Sequence, residues 1–155
     1  MQKLKDLRIK TSYHKGRDDI ADEFYLPCMN RSVTYDRAVG YFSSSIYVLA
    51  WPSLKQFISG NGHIRLLCSP FLAQRDIQAL HHGAEAKEEE RLIELLRKEI
   101  EMLLSSPFLS KPTRVLACLV ATGILELRIA FVGQYITPQQ RRLFHDKLGI
   151  FSDAE

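Results

Sequence analysis

Two side chains near the end of the sequence have types and a spacing that suit attack on a phosphodiester. His145 and Lys147 are separated by one residue within the segment 144–151. Alternate side chains of a β-strand point to the same face, so we expect the imidazole and the ammonium to face one target. An imidazole can attack phosphorus, and a fixed ammonium stabilises the charge on the phosphate oxygens. The pair predicts half of a phosphodiesterase site, and a surface or strand-capping histidine is the alternative interpretation.

Further polar residues are candidates for binding substrate. Serines follow the first predicted strand and end the second, at the edge of an open α/β sheet where ligands bind. The first group also begins a predicted helix, and helix N-termini bind anions, although simple helix capping is the alternative. Two arginines before the histidine are suited to contact a nucleic-acid backbone, with scattered surface charge as the alternative. The candidate substrate-binding residues are Ser43, Ser44, Ser69, Arg141 and Arg142.

The elements that must position these residues follow from the hydrophobic pattern. Apolar runs predict strands, and apolar residues at helical spacing predict helices. The predicted strands cover 37–42, 63–69, 125–132 and 146–152, and the predicted helices cover 18–26, 46–58, 73–82, 84–104 and 112–122. We expect Pro27 to end or kink the first helix, Pro52 to kink the second or start a new one, and Asp36 to pair with Arg37. Strands joined through helices predict one α/β domain over residues 1–155, with a mainly parallel sheet flanked by helices on both faces.

Composition limits the class of protein. The chain has 155 residues, of which 46% are hydrophobic and 25% charged, and its net charge of +3 permits nucleic-acid contact without requiring it. Its three cysteines are widely spaced and suggest neither a disulfide framework nor a metal site. The sequence shows no signal peptide and no apolar stretch of about 18 residues, so we expect a cytoplasmic protein without membrane contact.

Four segments carry a resemblance to a known family. They are residues 24–28 (FYLPC), 35–44 (YDRAVGYFSS), 64–70 (IRLLCSP) and 145–151 (HDKLGIF). Together they resemble the phospholipase D-like domains found N-terminal to bacterial DEAD/DEAH-box or Snf2-type helicases, a group associated with restriction and phage defence. In this superfamily a histidine attacks phosphorus and forms a phosphohistidine, a second histidine protonates the leaving oxygen, and lysines hold the phosphate. The resemblance implies hydrolysis without a metal or another cofactor.

The resemblance assigns roles within this sequence. It makes His145 the nucleophile and Lys147 the phosphate clamp, and it gives the family's aspartate to Asp153, because the simple spacing places Ser152 where that aspartate would be. The family's Gly-Ser-x-x-Asn stretch is missing, so we expect an incomplete phospholipase D-like half, truncated after the motif. A second copy of the chain or a helicase-bearing partner chain would supply the other half. The implied function is a nuclease acting on DNA, and the alternatives are a non-catalytic nucleic-acid-binding or docking module and an inactive gene remnant.

Overall fold

A computed structural model describes residues 3–131 and 144–154 of the chain. Its strands and main helices are α1 (Leu26–Met29), β1 (Thr34–Val39), α2 (Ile46–Ser59), β2 (His63–Cys68), α3 (Gln74–Lys87), α4 (Glu90–Ser105), α5 (Pro112–Ala121), β3 (Leu125–Ile129) and β4 (Lys147–Ser152). The four strands form one mixed sheet in the order β3-β2-β1-β4. Strands β1, β2 and β3 are parallel, and β4 is antiparallel to β1. The predicted α/β class is confirmed, with a sheet flanked by helices.

Strand β1 begins three residues earlier than the apolar run 37–42 predicts. The ring of Tyr35 stacks on that of Phe151 at a centroid distance of 4.2 Å, and Tyr35 pairs with Ile64 on the other side. These contacts come from β4 and β2, so the neighbouring strands decide where β1 starts. The prediction for this boundary is therefore wrong, because the local hydrophobic pattern does not depend on which strands pair with β1.

Neither proline breaks its helix. A wide π-helical turn over Ala21–Tyr25 leads into α1, and Pro27 lies in the first turn of that helix. A proline is tolerated there because its missing N–H would have no partner within the helix. Helix α2 also continues through Pro52 as one element. None of the helices within the described ranges is long and apolar enough to cross a membrane.

The helices cover one face of the sheet. Strands β1, β2 and β3 lie side by side in chain order, so right-handed crossovers place all the connecting helices on the same side. The buried face of the strands carries Tyr35, Val39, Ile64, Leu66, Cys68 and Leu125. The opposite face carries Asp36, Arg65, Glu126, Arg128, Leu148 and Ile150, which line an open groove. Within residues 3–131 and 144–154, the expectation of helices on both faces is therefore wrong, because it requires a strand order that changes direction.

Helices α3 and α5 touch at Gly83 closely enough to exclude a side chain. A Cβ atom placed on Gly83 would lie 2.5 Å from the carbonyl oxygen of Ala117 and 2.9 Å from the Cβ of Val120. The first of these neighbours is backbone, which cannot rotate away. The spacing of the two helices is therefore set by the absence of a side chain at this position.

Replacing Gly83 by valine is expected to lower the free energy of unfolding by about 2–3 kcal/mol, because a side chain would force the two helices apart. Ala84→Val is the matched control, since Ala84 is the next residue of the same helix and is exposed. The control places the same β-branched residue in the solvent and should change stability by less than about 0.5 kcal/mol. Urea unfolding followed by circular dichroism measures both variants. Equal stabilities would show that the helices are not in contact at this glycine.

Candidate functional site

The antiparallel direction of β4 brings the predicted catalytic pair to the carboxyl end of β1. Lys147 is the first residue of β4 and is paired with Val39, the last residue of β1. Two residues earlier, the ring of His145 meets the ring of Tyr41 edge-on, with centroids 6.5 Å apart. The side chains of both His145 and Lys147 are exposed to solvent. The predicted pair thus lies at the edge of the sheet where α/β proteins bind ligands.

Gly40 is a residue of this edge that sequence reasoning did not single out. A Cβ atom placed on Gly40 would lie 2.9 Å from the carbonyl oxygen of Phe144 and 3.1 Å from the Cα of His145. The backbone that leads into β4 therefore packs directly on the glycine. A glycine just after a strand is the signal for such close approach of another backbone. The absence of a side chain at Gly40 thus allows the backbone at His145 to lie directly against the end of β1.

The three serines that the sequence suggests as substrate-binding residues differ in their burial and in their hydrogen bonds. Ser44 is fully buried: its hydroxyl donates to Oδ1 of Asp76 at 2.6 Å and its backbone N–H donates to Oδ2 at 3.2 Å. The anion held at the start of α2 is therefore a carboxylate of the protein itself. Ser69 is also buried, with no hydrogen-bond partner for its hydroxyl among the described residues. Ser43 is half-buried and shares a hydrogen bond with Ser45, so it is the serine of the three that a ligand can approach.

Asp153 lies at the other end of β4. The strand separates it from Lys147 by about 20 Å, taking ~3.3 Å for each residue. Its carboxylate accepts a hydrogen bond of 2.7 Å from the backbone N–H of Leu4. The structure thus does not bring Asp153 to His145, and it gives this carboxylate a part in holding the N-terminal segment. Arg141 and Arg142 lie outside the described residues.

Asp36 and Arg37 do not form the ion pair that their adjacency predicts. Neighbouring residues of a strand point to opposite faces, so the two side chains are separated by the sheet. Asp36 instead accepts two hydrogen bonds of 2.5 Å from Arg65 on the open face, and these bonds lower the pKa of the Asp36 carboxyl. Arg37 lies on the covered face, where its guanidinium donates a hydrogen bond of 2.6 Å to the hydroxyl of Tyr35.

A cavity of about 480 Å³ adjoins the edge that carries His145. It lies between β1, α2 and the helical segment that contains Tyr25. Its aromatic and charged lining residues are Tyr25, Tyr35, Arg37, Tyr41, Phe42 and Tyr47. Tyr41 and Leu49 are exposed and belong to this lining, so the cavity opens to solvent on their side. Because Tyr41 also contacts His145, the opening of the cavity is next to the catalytic candidate.

Comparison of the chain with protein-family models, with curated proteins and with solved structures finds no match. These comparisons therefore assign no family to the chain.

Proposed function

We propose that this chain is a phospholipase D-like phosphodiesterase domain that cleaves DNA through a phosphohistidine, as part of a restriction or phage-defence helicase system. The observation that supports this proposal most strongly is the pairing of β4 with β1. This pairing brings two exposed side chains, the imidazole of His145 and the ammonium of Lys147, to the carboxyl end of β1, and α/β proteins commonly bind ligands at this edge of the sheet. The sequence segments that resemble the helicase-linked domains supply the choice of DNA as substrate.

The reaction proceeds in two displacements at phosphorus. A ring nitrogen of His145 forms a bond to phosphorus while the bond from phosphorus to the leaving sugar oxygen breaks, and that oxygen takes a proton from an acid of the second half-site. Water then attacks phosphorus while the bond from phosphorus to His145 breaks, and the group that acted as the acid takes a proton from this water. The phosphorylated end is released, and both His145 and the acid return to their starting states. The ammonium of Lys147 holds the non-bridging oxygens and stabilises the charge that develops on them.

The site needs a second half. The sequence contains one His-x-Lys motif, whereas the proposed chemistry uses a second histidine as the acid. We propose that a second copy of this chain or a helicase-bearing partner chain supplies it. A closed pair of identical subunits related by a two-fold axis is the commonest form of oligomer. The same single motif favours the second candidate function, a non-catalytic module that binds or docks nucleic acid.

To test this proposal, the purified chain is incubated with end-labelled single-stranded and double-stranded DNA in the presence of EDTA, and cleavage of the labelled DNA is measured. The proposal expects cleavage in EDTA that increases more than linearly with protein concentration if two copies form the site, or that appears on addition of the partner chain. Binding that weakens steeply with salt, without cleavage under either condition, would select the non-catalytic module. Absence of both binding and cleavage at low salt would reject both functions.

A further inference from the structure

Arg37 is a cation without an opposing carboxylate among the residues that the structure describes. The arginines at 65, 97, 114 and 128 each form an ion pair with an acidic side chain. The guanidinium of Arg37 instead contacts two phenols: it donates to the hydroxyl of Tyr35 and lies 5.7 Å from the ring centroid of Tyr25. Arg37 is the one cationic side chain among the described residues that line the cavity.

The contact with Tyr35 does not neutralise this charge. Burial raises the pKa of the Tyr35 hydroxyl above its usual value, although the adjacent guanidinium opposes the shift. The hydroxyl is therefore protonated at neutral pH, and it orients Arg37 without cancelling its charge. A guanidinium has five N–H donors in a planar fork that matches a phosphate. The cavity thus combines an available anion-binding group with aromatic walls.

The shape and chemistry of the cavity suit one kind of ligand. A volume of about 480 Å³ is within the range of small-molecule sites, and its walls carry several aromatic rings. Aromatic side chains stack with nucleobases in proteins that bind single strands, and arginine pairs with phosphate. We propose that the cavity binds one nucleotide of a single-stranded nucleic acid, with its base among the tyrosines and its phosphate on Arg37.

The position of the cavity connects this ligand to the proposed reaction. Arg37 is paired with Gly149, and Val39, two residues further along β1, is paired with Lys147. Since alternate residues share a face, Arg37 and Lys147 belong to the same face of the sheet, about 7 Å apart along the strand. Tyr41 joins the opening of the cavity to His145. Arg37 and the tyrosines would then bind the nucleotide next to the phosphodiester that His145 attacks. This subsite rests on the proposed function.

The test measures binding of thymidine 5′-monophosphate, thymidine and inorganic phosphate to the full chain by titration calorimetry. The nucleotide should bind at least about tenfold more tightly than thymidine or phosphate, because it alone fills both parts of the subsite. Arg37→Gln should weaken nucleotide binding by about tenfold or more, the loss expected for a charged hydrogen bond. Arg65→Gln is the matched control, because Arg65 lies on the neighbouring strand and on the open face, and it should leave the affinity unchanged.

A second variant tests the cavity without changing charge. Ala50 lines the cavity and is half-exposed on α2, so Ala50→Trp should fill the space and abolish nucleotide binding while the chain remains folded. Circular dichroism checks the fold of every variant. Nucleotide affinity that is equal in the wild type, in Arg37→Gln and in Ala50→Trp would overturn the inference, and so would phosphate binding as tightly as the nucleotide. Cleavage of DNA without nucleotide binding would reject the subsite and leave the proposed function intact. Nucleotide binding without cleavage would support the subsite and reject the proposed phosphodiesterase function.

Discussion

Replacing His145 by alanine is expected to lower the rate of DNA cleavage by at least about a thousandfold, because removal of a nucleophile leaves only binding and electrostatic effects. The methyl group cannot form a bond to phosphorus, so no phosphohistidine can accumulate. Rapid acid quench of a reaction with radiolabelled DNA, followed by denaturing electrophoresis, measures both the rate and the covalent intermediate. His145 is exposed, so the substitution should leave the stability of the fold almost unchanged.

His63 provides a matched control for this experiment. It also stands at the start of a strand, but it is paired with Thr34, the first residue of β1. His63 therefore lies at the amino end of β1, whereas His145 lies at its carboxyl end. His63→Ala should cleave DNA at the wild-type rate. Lys147→Ala should still form the covalent intermediate, at a rate lower by about a hundredfold, because it loses stabilisation of charge and keeps the nucleophile. If His145→Ala retained more than a tenth of the wild-type rate, another group would have to be the nucleophile.

Replacing Asp76 by alanine is expected to lower the free energy of unfolding by about 3 kcal/mol. The carboxylate accepts both the hydroxyl and the backbone N–H of Ser44, and both residues are fully buried. Its removal leaves two donors away from water without an acceptor, each at a cost of about 1–3 kcal/mol. Urea unfolding followed by tryptophan fluorescence measures the loss, since the single tryptophan, Trp51, is buried in the core.

A double-mutant cycle separates this hydrogen bond from the general effect of a smaller side chain. Ser44→Ala removes the hydroxyl donor, so the losses from Asp76→Ala and Ser44→Ala should add to more than the loss in the double variant, by about 1 kcal/mol or more. Asp76→Asn keeps an oxygen acceptor of the same size and should lose less stability than Asp76→Ala. Strict additivity of the two single substitutions would show that the side chains do not interact.

The parts of the fold that the sequence could predict are those that depend on local patterns. The alternation and the apolar runs identify the strands near residues 63–68 and 147–152, because these segments are bounded by clear turn or polar residues. Helical spacing of leucines identifies α4, whose buried Leu96 and Ile100 lie on one stripe. The alternation also predicts a common face for His145 and Lys147; since β4 begins at Lys147 and its pairing does not include His145, this stays a prediction.

The parts that could not be predicted depend on partners distant in the sequence. The sequence around Ser44 does not predict its hydrogen bond to Asp76, which is 32 residues away. The strand order leaves one face of the sheet without helices. This order depends on how β1, β2 and β3 pair with one another, and the pattern of any single strand does not predict it. The hydrogen bond from Arg37 to Tyr35 could not be predicted either, since the neighbouring Asp36 suggested an ion pair that the alternation of the strand forbids.

The pairing of β4 with β1 also has a consequence for the dynamics of the site. It joins residues 34–39 to residues 147–152, so a long loop must close before these hydrogen bonds can form. Strand β4 lies at the edge of the sheet, and its first four residues are exposed. Local opening favours segments with few buried contacts, and β4 contains no fully buried residue, unlike the other three strands. His145 and Lys147 therefore lie at the carboxyl end of β1 only while β4 remains paired with that strand.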